Sequence, residues 1–197
     1  MKWKKKIKSR AGFSLAEMML AVLILLLVSI IVATGVPAAR NAYYKVVLGS
    51  NAQILLSTAT NALRGELGTA RDILIDDDAT KTEGDYVTYF SAETGGRSKI
   101  YKGKDEKDRF TILLQEYARA AVFGVSDNQK NSGHALVSEA ASTDEMYITY
   151  DTVSYDKDEG TVTFSKFKVL STGSDGKTLA GGDDNELVIR VFPSDEK

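Results

Sequence analysis

Charged and apolar positions are sharply segregated along the first part of this chain. Residues 18 to 39 carry no charged side chain and are mostly apolar. At about 1.5 Å of rise per helical residue they cover about 33 Å, slightly more than the roughly 30 Å of a bilayer's hydrocarbon core. The pattern predicts a membrane-spanning helix. Past Arg40 the apolar residues narrow to one stripe: Tyr44, Val47 or Leu48, Ala52, Leu55, Ala59, Leu63, Leu67, Ala70 and Leu74 recur at steps of three or four. Asn51, Ser57, Thr58, Asn61 and Arg64 fall off the stripe, so the helix is expected to continue, now amphipathic, to about residue 75. Gly49, Gly65 and Gly68 each cost about 1 kcal/mol relative to Ala. Breaks or bends are expected there, and packing must hold the helix.

After Asp76-Asp77-Asp78 the period changes to that of strands. Tyr86 to Phe90 and Lys99 to Lys102 read as a hairpin across Thr94-Gly95-Gly96. Thr111 to Phe123 begins as a strand and passes into helix-favouring or loop sequence, and residues 124 to 144 read as a long polar loop. Met146 to Tyr155 and Thr161 to Leu170 flank Asp156-Lys157-Asp158-Glu159-Gly160, a hairpin signal. In its second arm the apolar positions change parity between Phe164 and Phe167, which implies a bulge near Ser165 or burial on both faces. Leu187 to Phe192 is the last strand expected, ended by Pro193. The fold class is therefore α+β, a long N-terminal helix whose amphipathic second half packs on an antiparallel sheet.

The ends of the apolar run carry the chemistry. Residues 1 to 12 hold five Lys and one Arg and no acid, against Arg40 and Lys45 beyond the run, which places the N-terminus in the cytoplasm and the C-terminal part outside. Glu17 stands on the first turn of the apolar helix. An ionised carboxylate close to hydrocarbon costs about 2.5–3.5 kcal/mol unless it has a partner.

The basic N-terminus, the Gly12-Phe13 junction, Glu17 four residues further on and the long apolar helix together resemble the type IV pilin and pseudopilin superfamily. The resemblance covers roughly residues 1 to 75. It implies a leader of residues 1 to 12 cut by a prepilin peptidase between Gly12 and Phe13. Phe13 then becomes the N-methylated first residue, and Glu17 the fifth, whose carboxylate meets the amine of a neighbouring subunit during assembly. It further implies a transmembrane half of the helix over residues 13 to 39 and an extracytoplasmic, pilin-like head over residues 40 to 197. The partners implied are prepilin peptidase, other pilin or pseudopilin subunits, the inner-membrane assembly machinery and membrane lipid. Ser14 and Ala16 stand where Thr and Ile are commoner in the family, and Pro37 lies three positions later than its usual helix-bending proline, which puts any bend nearer the membrane surface.

Two other readings of the same residues stay open. Val36-Pro37-Ala38 is a passable signal-peptidase site, although the uncharged run exceeds the usual apolar length of about 7–15 residues. A retained signal anchor would tether an unrelated binding domain.

Charge and composition narrow the remaining chemistry. The 25 Lys and Arg and 27 Asp and Glu leave a formal −2, and without the six N-terminal cations 19 basic side chains face 27 acidic ones, a net of −8. No nucleic-acid partner is expected on a broad surface of that sign. There are no cysteines, so neither a disulfide nor a thiol catalyst exists. His134 is the single histidine, and no phosphate loop, nucleophile elbow or His-Glu-x-x-His segment occurs, so an enzyme is not expected. The segment Thr172 to Asp184 loosely resembles the calcium loop of major pseudopilins. Asp175, Asp183 and Asp184 are its candidate ligands, while Gly and Asp dominate ordinary turns equally well. No other cofactor is expected.

Overall fold

The computed structural model describes residues 14–92, 94–104, 110–116, 133–137, 145–173 and 176–191. Helix α1 runs Leu15–Gly68 and passes from one unit, Met1–Val46, into a second, Val47–Lys197. In the first unit every described residue of the helix is exposed, including Leu23, Leu26, Ile30 and Ile31. An 18-residue window there has a mean hydropathy of 2.9, so α1 is long and apolar enough to cross a membrane. Its hydroxyls are satisfied along the helix: Ser29 donates to the Leu25 carbonyl at 2.7 Å and Thr34 to that of Ile30 at 2.9 Å. The helix continues through Pro37, which lacks the N–H that would meet the carbonyl of Ala33.

In the second unit the helix buries one stripe, Ala52, Leu55, Ala59, Leu63 and Leu67. These are the central members of the expected periodicity. The helix is unbroken at Gly49 and Gly65 but ends at Gly68, and strand β1, Arg71–Ile75, follows after Thr69 and Ala70. The expectation of helix to about 75 is corrected here. Ala70 and Leu74 continue the helical spacing, but the β-branched Ile73 and Ile75, both buried with Leu74 half-buried between them, set a period of two and decide for strand.

The other strands are β2 Glu83–Gly84, β3 Val87–Ser91, β4 Gly96–Lys104, β5 Phe110–Glu116, β6 His134–Ala135, β7 Met146–Thr149, β8 Val153–Asp156, β9 Thr161–Phe164, β10 Lys168–Ser171, β11 Thr178–Gly181 and β12 Leu187–Arg190. They form three antiparallel sheets, ordered β1-β3-β4-β5-β6, β12-β9-β8-β2 and β11-β10-β7. One hydrophobic core joins the helix stripe to all three, through Tyr89, Ile100 and Ile112 of the first sheet, Val162 and Phe164 of the second, and Val169 of the third. The architecture is α+β, with α1 packed against antiparallel sheets. Tyr89 also ties helix to sheet directly, its hydroxyl donating to Glu66 Oε2 at 3.0 Å. Burial, with the Glu66 carboxylate beside it, pushes the Tyr89 phenol far above its ordinary range, so it stays a neutral donor.

The expected arms Met146 to Tyr155 and Thr161 to Leu170 are each split in two. β8 and β9 belong to one sheet while β7 and β10 belong to another, yet the register is the same on both sides of the break, so no residue is inserted. The parity change arises because the hairpin bends at Tyr150–Thr152 and Ser165–Phe167 and crosses between sheets. Lys166 takes a φ of 48° at the bend, and its ammonium reaches Asp151 at 2.7 Å. The segment expected as a loop over residues 172 to 184 contains β11, paired with β10. The helix-or-loop continuation past Glu116 and most of the long polar loop lie outside the described residues, although β6 falls within that loop.

Full burial of a leucine contributes about 1.5–3 kcal/mol, and truncation adds a cavity cost. Leu63→Ala should therefore destabilise the chain by about 2–5 kcal/mol, read from the urea midpoint in detergent. Ile54→Ala, at a helical position 57% exposed, should change it by no more than about 0.5 kcal/mol. Equal effects would contradict the observed facing of the helix.

Candidate functional site

The candidate site is the start of the apolar helix. Ser14 precedes the first helical residue, Leu15, and accepts the first helical bond, Met18 N–H to Ser14 O at 3.2 Å. Three further bonds link Ser14 to Glu17. The Glu17 N–H donates to Ser14 Oγ at 3.3 Å, while Glu17 Oε2 accepts from the Ser14 N–H at 2.8 Å and from the Ser14 hydroxyl at 3.1 Å. This is a reciprocal capping box, Ser at the N-cap and Glu at the third helical position. The helix dipole adds to it, because an anion belongs at the positive end. Glu17 therefore has a local partner in its own chain. Ser14 enters the sequence reading only as a departure from the family pattern, although the Ser-x-x-Glu spacing before an apolar run is itself a signal for this cap.

A serine is not a cation. The box satisfies two of the lone pairs of Glu17 and leaves its charge in place, so the site retains a negative centre at the head of an exposed apolar helix. Gly12 and Phe13, the expected cleavage junction and methylation site, lie outside the described residues.

Asp183 is ion-paired with Lys168, whose hydrogen bond and charge hold the Asp183 carboxyl below the usual carboxylate range. Asp184 follows Asp183 in the same turn, and Asp175 lies outside the described residues. Among the described residues no three His, Cys, Asp or Glu side chains converge. A calcium ion at this loop would have to displace the Lys168 ammonium from Asp183.

Asp76-Asp77-Asp78 forms an exposed to half-buried turn after β1. Asp76 and Asp77 sit in the left-handed region, with φ of 50° and 59°, and their carboxylates fix the chain where it enters β3. Asp76 accepts from the N–H groups of Asp85 and Tyr86 at 3.0 and 3.2 Å and from Lys81 at 3.1 Å. Asp77 accepts from Tyr86 Oη at 2.9 Å and Thr88 Oγ1 at 2.6 Å. Gly84 makes the approach possible, since a Cβ there would overlap the Asp76 carboxylate and Ile75. His134 is exposed on β6 and pairs with Leu114 through the backbone.

Comparison of the chain with protein-family profiles, curated proteins and solved structures gives no match.

Burial opposes ionisation of Asp76 and Asp77. The Lys81 bond and backbone N–H donors at Asp76, and at Asp77 the Thr88 and Tyr86 hydroxyls with the Lys99 and Arg97 charges, outweigh it and hold both carboxyls below their ordinary value of 3.8. Because the folded values are depressed, the stabilisation is present above the unfolded value and is lost as pH falls through the folded ones. The urea midpoint should stay level through neutral pH and drop below about pH 4, and Asp77→Asn should flatten that drop. An acid limb unchanged by Asp77→Asn would remove this carboxylate from the account.

Proposed function

We propose that this protein is a structural subunit, a minor pilin or pseudopilin, of a type IV pilus or type II secretion-like filament. The observation that carries the reading is the double character of α1. Its first half exposes apolar side chains all round behind an acidic first turn, and its second half buries a single stripe in an α+β head. The resemblance at Gly12, Phe13 and Glu17 supplies the rest. On this reading prepilin peptidase cuts after Gly12 on the cytoplasmic side, Phe13 is N-methylated, and the helix then passes from lipid into a bundle of neighbouring subunits. The head stays extracytoplasmic, and no catalytic role or resident metal is invoked. The competing readings, an ordinary signal anchor holding a binding domain and a secreted domain cut after Ala38, share the apolar helix but not the processing.

Mass spectrometry of the membrane-associated chain separates the three. A mature N-terminus at Phe13, methylated, supports the pilin reading; an uncut chain supports the tether and a start at Ala39 ordinary secretion. In the same measurement Gly12→Leu should leave a full-length chain that is still membrane-inserted. Unchanged processing of that variant would disprove the assigned junction.

Assembly supplies the test of Glu17. Cleavage frees a cationic α-amine on Phe13, and a carboxylate within an apolar bundle is best satisfied by such a charge. Glu17→Ala should leave insertion and cleavage largely intact while lowering the protein's share of sheared or detergent-extracted filaments. Undiminished incorporation would refute pairing between Glu17 and a neighbour's amine.

A further inference from the structure

Between Ala39, where the uncharged run ends, and Val47, where α1 enters the second unit, lies a segment of two helical turns, Arg40 to Val46. All of it is exposed, its two tyrosines included, Tyr43 at 72% and Tyr44 at 51%. Arg40 stands one turn before Tyr44, and Asn41 one turn before Lys45, so cation, amide and phenol side chains cover adjacent ridges of the helix. Such a set of side chains suits a bilayer surface, where a tyrosine ring lies against acyl chains while its hydroxyl meets water and headgroups, and Arg and Lys direct their charges to phosphate. The segment's length, about 10 Å, exceeds the roughly 5–7 Å of one leaflet's polar layer, so it can cross that layer completely.

We infer that Arg40, Tyr43, Tyr44 and Lys45 form an interfacial anchor whose partner is the phospholipid headgroup layer on the head side of the membrane, and that this anchor sets the depth of the apolar run. The inference rests on reading α1 as a membrane span. It has a consequence at the far end. Glu17 lies 26 residues before Tyr43, about 39 Å along the helix and well beyond a hydrocarbon core of about 30 Å. With the tyrosines fixed at one interface, Glu17 falls in the polar layer of the other.

The natural chain has no cysteine, so single cysteines can be introduced one at a time from position 20 to position 50, leaving out 40, 43, 44 and 45, with no native thiol to compete. The full chain, reconstituted in phosphatidylethanolamine and phosphatidylglycerol vesicles, is then labelled from the head side with a membrane-impermeant maleimide. Labelling should begin between positions 39 and 43. In the Arg40→Ala/Tyr43→Ala/Tyr44→Ala/Lys45→Ala chain the boundary should move by about one turn, roughly four residues, towards Val46. The conservative Arg40→Lys/Tyr43→Trp/Tyr44→Trp/Lys45→Arg chain should restore it. Protection over positions 20 to 36 with a boundary unmoved by the alanine substitutions would overturn the anchor alone. Labelling throughout positions 20 to 36 would overturn the span and the anchor with it.

Discussion

A helix satisfies its backbone hydrogen bonds within itself, and the chain depends on that property in two different surroundings. Along residues 15 to 39 it lets apolar side chains face outward on every side with peptide groups paired along the helix except where Pro37 supplies no N–H, which is the condition for a segment to enter hydrocarbon. Along Ala52 to Leu67 the same backbone presents one buried stripe to the sheets. Alanine at two of the five buried positions and leucine at three give that stripe alternating depth. The helix has little intrinsic support here, with glycine at 49, 65 and 68, so the contacts of the stripe hold it together.

Polar groups in the head are arranged to finish what the apolar core begins. Tyr89 is fully buried, and its hydroxyl still finds Glu66 on the helix. Tyr150 packs edge-on against Phe164 with ring centres 5.0 Å apart, and its hydroxyl reaches the carbonyl of Asp85 at 2.9 Å. In each case the ring contributes apolar area and the hydroxyl fixes its position. Asp76 and Asp77 extend the same logic to backbone, anchoring the chain as it leaves β1 and returns through β2 and β3. At the bend of the long hairpin, Lys102 donates to the carbonyl of Asp151 while Lys166 pairs with its carboxylate. A charge on each side of the corner thereby holds the crossing between sheets.

What the sequence reveals follows the range over which each constraint acts. The apolar run and the stripe at Ala52, Leu55, Ala59, Leu63 and Leu67 are local periodicities and can be read directly. The hairpins joining β3 to β4 and β8 to β9 are equally local, for their turns carry glycine at 95 and 160 in the left-handed region. The end of α1 is harder, because Ala70 and Leu74 continue the helical spacing while the buried pair Ile73 and Ile75 sets a strand's period of two. The parity change at Ser165 was visible as an irregularity, but its cause lies in a second sheet that no local pattern names. β11 is hidden for another reason: Thr178 to Gly181 sits among glycines and aspartates and becomes a strand only by pairing with β10. The acidic triplet shows the limit for charge. Composition says that adjacent carboxylates are hydrated, and only tertiary structure brings Tyr86 and Thr88 to Asp77.

Glu17 joins the local and distant parts of the argument. A carboxylate at the head of an apolar helix calls for a partner, and Ser14 already satisfies part of that need through the capping box. The two facts concern different quantities. Hydrogen bonds from Ser14 replace solvating water at the carboxylate oxygen and fix the rotamer; they do not cancel the charge. While Glu17 lies in a polar headgroup layer, the charge has water and counter-ions and costs little. Transfer of the helix from lipid into a packed bundle removes that solvation, and from then on only a cation can compensate the charge. On the proposed filament reading, a requirement for a neighbour's amine would therefore arise at assembly and not at insertion. The capping box would then hold the carboxylate at the helix end, ready to meet an amine, without itself neutralising the group.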